Sequence, residues 1–280
     1  MKLGWFSGIT VSSLLVRQVW PCSWLVPYAG RRVTFESRNI MNRIELIPIE
    51  GIPEVRPGDV LSALIMAAAD PEPGIRDGDV IVVTQKVVSK AENRLVPVDP
   101  DIEDDHKRYV LAESVRILRR RPTPRGELII SETSHGFICA NAGIDLSNIE
   151  KGFAALLPID SDYSARRIHD AIKGQMGIHV GIIISDTFGR AWRKGLTDVA
   201  IGCAGVAGVV DLRGTEDAQG RELHVTEVCV ADELAGAAEM VMGKASGIAA
   251  AIVRGVNPLW LREGSVREEI VRSPNEDLFR

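Results

Sequence analysis

HVGIIISDTFGR, residues 179–190, is the strongest strand pattern in the chain: Val180, Ile182, Ile183 and Ile184 run straight into acid and glycine. A run apolar on both faces belongs in a sheet covered on both sides. Its passage into Ser185-Asp186-Thr187-Phe188-Gly189-Arg190 puts polar chemistry at a strand end, where open sheets tend to place ligands. On its N-terminal side, residues 164–176 have helical spacing, and ELIISETSHGFICANAGIDLSN (127–148) reads as two strand-like runs split by a polar turn and ended by a Gly-Asp loop. Residues 104–121 also have helical spacing, with Tyr109, Leu111, Val115 and Leu118 facing inward and Pro122 and Pro124 ending the helix.

Nearer the N-terminus, IELIPIEGIPEVRPGD (44–59) predicts a short strand, a Pro- and Gly-rich loop and then a helix over residues 60–69. Asp77-Gly78-Asp79 launches the buried strand VIVVT, which the polar segment QKVVSKAENR follows directly. Beyond the central run, VTEVCVADELAGAAEMVMGK (225–244) predicts a long helix ending at Gly243, and GIAAAIVRG (247–255) another buried strand. Strands and helices alternate without regular βαβ spacing, which predicts an α+β fold of mixed sheets with flanking helices, not a doubly wound Rossmann sheet. No GxxxxGK[ST] P-loop occurs, and no GxGxxG follows a strand.

At 280 residues and 45% hydrophobic content the chain can bury a sizeable core. A net charge of −5 argues against nucleic acid as a partner, because the one tight basic run, Arg119-Arg120-Arg121, reads as a solvated helix end. Four cysteines without a CxxC pair fit reduced thiols and a cytoplasmic protein. No apolar run of about 18 residues is present, so no membrane segment is expected. Residues 1–40 hold three of the five tryptophans and no acid before Glu36; they read as a disordered extension or a mis-assigned start, ahead of one domain over 41–280.

Three clusters can carry chemistry. Asp186 and Thr187 can turn oxygen atoms toward one hard cation, and Gly189 lets backbone approach a phosphate. A turn with a helix N-cap uses the same residues, and both readings stay open. Asn141 to Asn148 repeats oxygen-bearing side chains, so that Asp145 can share a cation with Asp186 and Asn148 can donate to a ligand, or the segment can be a plain Asx turn. Lys86, Ser89 and Lys90 can neutralise a triphosphate or be a solvated surface; Arg190, Arg193 and Lys194 form a salt-bridge cluster or a phosphate-transfer site. His135 and His224 lack ligand spacing and read as structural.

Together IPIEGIPEVRPGD, DGDVIVVTQKVVSKAENR, SHGFICANAGIDLSN, IIISDTFGRAWRKGLTDVAIG and DLRGTEDAQGRELHVTEVCVADELA resemble, in order and spacing, the coenzyme F420-0:L-glutamate ligase family, from about Ile44 to Gly255. The resemblance implies a GTP-dependent gamma-glutamyl ligase of coenzyme F420 biosynthesis. It implies one or two Mg or Mn ions, K as an aid, and a homodimer with no membrane partner. It makes Asp145, Asp186 and Thr187 metal ligands, and gives GTP Ile52, Pro53, Glu54 and Val55, Gln85, Lys86, Ser89 and Lys90, Asn148, and the loop Met242, Gly243, Lys244, Ala245, Ser246, Gly247 and Ile248. Asp186, Lys90, Arg190 and Arg193 are the expected catalytic residues. Archaeal members carry an acidic metal ligand where this chain has Lys244, so either a second metal is held differently or Lys244 contacts phosphate. Some members continue into a flavin-binding nitroreductase-like domain; with Arg280 as the last residue, no flavin reductase activity is expected.

Overall fold

The computed structural model describes the strands Trp24–Tyr28 and Arg31–Phe35, residues 43–124 and residues 126–277. The chain divides into two units, residues 1–41 and 42–280. In the first, β1 (Trp24–Tyr28) and β2 (Arg31–Phe35) pair antiparallel. The expected extension over residues 1–40 otherwise lies outside the described residues.

The second unit runs β3 (Glu45–Ile49), α1 (Leu61–Ala69), β4 (Val80–Thr84), α2 (Gln85–Ala91), β5 (Leu95–Pro97), α3 (Lys107–Glu113), β6 (Ser114–Thr123), β7 (Gly126–Thr133), β8 (Ile138–Ala140) and β9 (Phe153–Ala155). It continues through α4 (Ser161–Met176), β10 (Gly181–Arg190), β11 (Arg193–Ala204), β12 (Val210–Asp211), β13 (Glu227–Val228), α5 (Val230–Met242), β14 (Ala250–Arg254) and α6 (Val266–Glu269). The content is α+β, as expected.

A five-stranded sheet in the order β11-β10-β4-β14-β3 forms the centre, with only the β10–β4 pair parallel. Alternation along its strands divides the core into two layers. Ile81, Val83, Ile182, Ile184 and Ile252 pack with α1 and α4 through Ile65, Ile168 and Ile172. Val80, Val82, Ile183, Ala251 and Val253 pack with α5 through Leu234, Ala235, Ala238 and Met242. Covering both faces explains why β4, β10 and β14 read as unbroken apolar runs. The apolar run VAIGCAGVAGVV (199–210) is mostly core, with Ala200, Ile201, Cys203, Ala204, Val206 and Ala207 buried.

The helix expected over 104–121 is corrected. Only Lys107–Glu113 is helical, and Ser114–Thr123 is a strand paired with β7. Register shifts fall between Ser114 and Arg116 and between Ile117 and Arg119, so Val115 and Leu118 are the bulged residues. Two bulges three residues apart imitate a helical apolar stripe. Those side chains face solvent, with Val115 69% exposed, and the residue that enters the core is Val110. Arg119-Arg120-Arg121 therefore lies on a strand and is no helix end, with Arg120 paired to Glu127. Among the described residues no helix is long and apolar enough to cross a membrane.

Candidate active site

Sheet topology brings the separate motifs to one end. β4 and β10 are parallel, with Thr84 beside Ser185, so their C-terminal ends emerge together. β14 is antiparallel to β4 and starts opposite Val83, so the loop 243–249 enters at that same end. Ile49 closes β3 opposite Ala250, so the loop 50–60 leaves there as well. Thus residues 52–55, 85–90, 186–187 and 242–248 share one rim.

The polar segment after β4 is itself a helix, α2, starting with no intervening loop. Lys86 in its first turn points an ammonium at Asp145, at 2.8 Å, and at Ser147 Oγ, at 3.0 Å. Asp145 also accepts from Ser147 N at 2.7 Å, so the Asx turn and the charged pair coexist. Burial pushes the Asp145 carboxyl up, but the Lys86 and Ser147 hydrogen bonds outweigh it and hold the group below its usual range. Asn148 Nδ2 donates to the Lys244 carbonyl at 3.2 Å, tying this loop to the loop after α5.

Asp186 and Thr187 are neither a turn nor a helix N-cap; β10 continues through Arg190, with Thr187 opposite Asp198 on β11. Burial, followed by the charges of Asp145 and Asp198, pushes the Asp186 carboxyl up to about 7, against a hydrogen bond from the Thr187 backbone and the charge of Lys86. Its field reaches Cys139 on β8, a thiol raised to about 12 mainly by burial. Among the described residues no ammonium or guanidinium forms an ion pair with Asp186. Thr187 Oγ1 instead donates to Asp198 Oδ1 at 2.7 Å.

Lys244 Nζ lies 2.6 Å from Asp198 Oδ1, 2.9 Å from Glu239 Oε1 and against Thr187 Oγ1. Burial works against this ammonium, yet the hydrogen bonds to Asp198 and Glu239 outweigh it and raise its pKa. Glu239 is the strained member: burial and the neighbouring Asp198 push it up although Lys244 opposes them. Asp198 and Glu239 are the residues sequence reasoning missed. Their signals were an acid at the head of the apolar run VAIGCA and an acid in the last turn of an apolar helix, where the dipole disfavours it.

Other expected residues are placed as follows. Lys90 is buried on α2 and pairs with Glu54, fastening the 52–55 loop to the helix, with Val55 in the core. Gln85 is buried, Ser89 Oγ lies 2.7 Å from its Oε1, and its Nε2 has no partner among the described residues. Arg190 and Arg193 face solvent at the hairpin tip, about 13 Å or more along the strand from Asp186 at ~3.3 Å per residue. Lys86 and Lys244, not those arginines, are the cations beside the acids. His135 Nε2 sits 2.8 Å from the Pro158 carbonyl, and His224 is exposed beside Glu222.

A family model described as F420-0:Gamma-glutamyl ligase matches residues 51–255, the span that builds this rim. The chain belongs to that family. Proteins named Coenzyme F420:L-glutamate ligase from Methanopyrus kandleri, Methanothermobacter thermautotrophicus and Archaeoglobus fulgidus are 42%, 41% and 40% identical to it. Each alignment covers 85% of this chain and 97%, 99% and 97% of the respective relative. For this F420-ligase family member, the fit of a divalent ion depends on the donors at the rim. Among the described residues no group of three or more His, Cys, Asp or Glu gathers as a metal cluster. Two hard carboxylates, Asp145 and Asp186, the latter without an ion-pair partner among the described residues and pushed up chiefly by burial, suit an ion of the Mg type.

Proposed function

We propose that this chain is a GTP- and divalent-metal-dependent ligase that joins the amine of L-glutamate to a side-chain carboxylate of the F420 precursor and extends the product with further gamma-linked glutamates by the same chemistry. The observation that carries the reading is the near-complete match to proteins named Coenzyme F420:L-glutamate ligase, converging on the rim where Asp145 and Asp186 act on one another.

A carboxylate is a poor electrophile, so the acceptor is first activated: its oxygen attacks the γ-phosphorus of GTP, GDP leaves, and an acyl phosphate forms. The glutamate amine then attacks the acyl carbon, phosphate departs, and the amine proton is lost. Asp145 and Asp186 would hold the Mg or Mn ion with phosphate oxygens, and that ion supplies charge neutralisation at the transferring phosphoryl group. Lys86 orients Asp145 and adds positive charge beside Asp186. Buried Gln85 offers its free Nε2 as a donor to the nucleotide, and Lys90 fixes the 52–55 loop against it. Thr187 acts through Asp198 and Lys244. K as an activating ion, the homodimer and a cytoplasmic setting belong to the same proposal.

Incubation with glutamate-free F420 precursor, GTP, Mn²⁺, K⁺ and L-glutamate, followed by mass analysis, tests it. A mass gain of one glutamyl unit with GDP release is expected. Nucleotide binding without product would make the protein a regulator, and product only with another carboxylic acid would change the acceptor.

A further inference from the structure

The proposed mechanism works through Asp186 and leaves Asp198 and Glu239 to Lys244. An ammonium group has three N–H donors and no acceptor. In Lys244 all three have protein partners: Asp198 Oδ1, Glu239 Oε1 and Thr187 Oγ1. Thr187 closes the ring by donating to the same Asp198 oxygen, and Ser185 Oγ reaches its other oxygen at 3.3 Å. Two carboxylates and a hydroxyl from β10, β11 and α5 are the hard-oxygen set a divalent ion takes. Here a nitrogen sits among them. The backbone around it is shaped for this, with Gly243 at φ 60° and Gly247 at φ 76° bounding the loop and Asn148 holding the Lys244 carbonyl.

We propose that the Lys244 ammonium is a built-in second cation of this site, so that the loaded protein takes one divalent ion per chain, on the Asp186 side, and none among Asp198, Glu239 and Thr187. The inference rests on the metal–nucleotide reading of the rim. It also answers whether Lys244 contacts phosphate: with three donors spent inside the protein, its role is to neutralise Asp198 and Glu239.

The test is the Mn²⁺ stoichiometry of the full chain with saturating GDP, read by electron paramagnetic resonance of free Mn²⁺ and checked by equilibrium dialysis with metal analysis. The wild type is expected to bind one Mn²⁺ per chain. Lys244→Glu, and more weakly Lys244→Met, should bind two, with circular dichroism verifying that each is folded. Two Mn²⁺ on the wild type overturn the inference while leaving the ligase reading in place. A folded Lys244→Glu that stays at one also overturns it. No Mn²⁺ on the wild type with GDP overturns both. Should Lys244→Glu not fold, the wild-type count and Lys244→Met still decide.

Discussion

The two ammonium–carboxylate pairs beside Asp186 are built in opposite ways. On one side the cation is fixed: Lys86 sits in the first turn of α2 with a side chain 20% exposed, and its acid, Asp145, is on a loop. On the other the acid is fixed: Asp198 is 3% exposed in β11, and its cation, Lys244, is 55% exposed on a loop between two glycines. A buried acid cannot escape to water, so it must keep a counter-charge, whereas an acid on a loop with 32% of its side chain exposed, as Asp145 is, can trade a protein partner for water. The Asp198 side is therefore structural in energy and the Asp145 side is free to exchange partners. Asp186 stands between them without a cation of its own.

The largest expected effect falls at that middle position. Asp186→Ala should cut glutamate ligation by about 10³-fold or more, with the fold retained by circular dichroism. Near-normal GDP release by that variant, with glutamate and acceptor present, would remove Asp186 from the reaction and with it the meaning of its two flanks. Next, Asp198→Asn should lower stability in urea by roughly 1–3 kcal/mol, discounted for the exposure of Lys244, while Asp145→Asn costs under about 1 kcal/mol. Equal costs for the two would erase the contrast.

The pH dependence of the ligand-free protein sharpens it further. Asp186 moves from an ordinary value of 3.8 to about 7 on folding, so between those values the folded chain holds a proton that the unfolded chain has lost. Its contribution is fully present below the unfolded value and is lost as pH rises through about 7. Asp186→Asn should thus stabilise the metal-free protein at pH 8 by on the order of 1–2 kcal/mol and change little at pH 4. A thermal melting series at the two pH values reads this, and equal shifts at both would contradict it. The smallest effect is outside both flanks: Arg120→Ala breaks an exposed pair with Glu127 and should stay within about 0.5 kcal/mol in urea.

Much of the fold was legible because it rests on period. The buried strands at 80–84, 181–184 and 250–254 announce themselves by apolar runs, and the helices expected over 60–69, 164–176 and 225–244 stand at 61–69, 161–176 and 230–242, the last shortened because Glu227–Val228 pairs as a strand. Residues 114–123 did not, because two bulges placed Val115 and Leu118 three apart and pairing with β7 overrode helix-forming Arg and Leu. Asp145, Asp186, Lys86 and Asn148 were legible as polar groups at strand ends, and Gln85 only through the family resemblance. Their partners were not: Asp198 meets Thr187 only through the β10–β11 register, and Glu239 meets Lys244 only through the bend of the loop after α5.

The amino-acid sequence by itself determined the α+β class, the strands that carry the rim and the family, since each is encoded in local period or in ordered motifs. Only the tertiary structure decided which charge faces which. Electrostatic pairing depends on distance and burial, and both are set by strand register and loop course across residues far apart in the chain. That is why Asp186 emerged as the uncompensated carboxylate, and Lys244 as a cation already spent on Asp198 and Glu239.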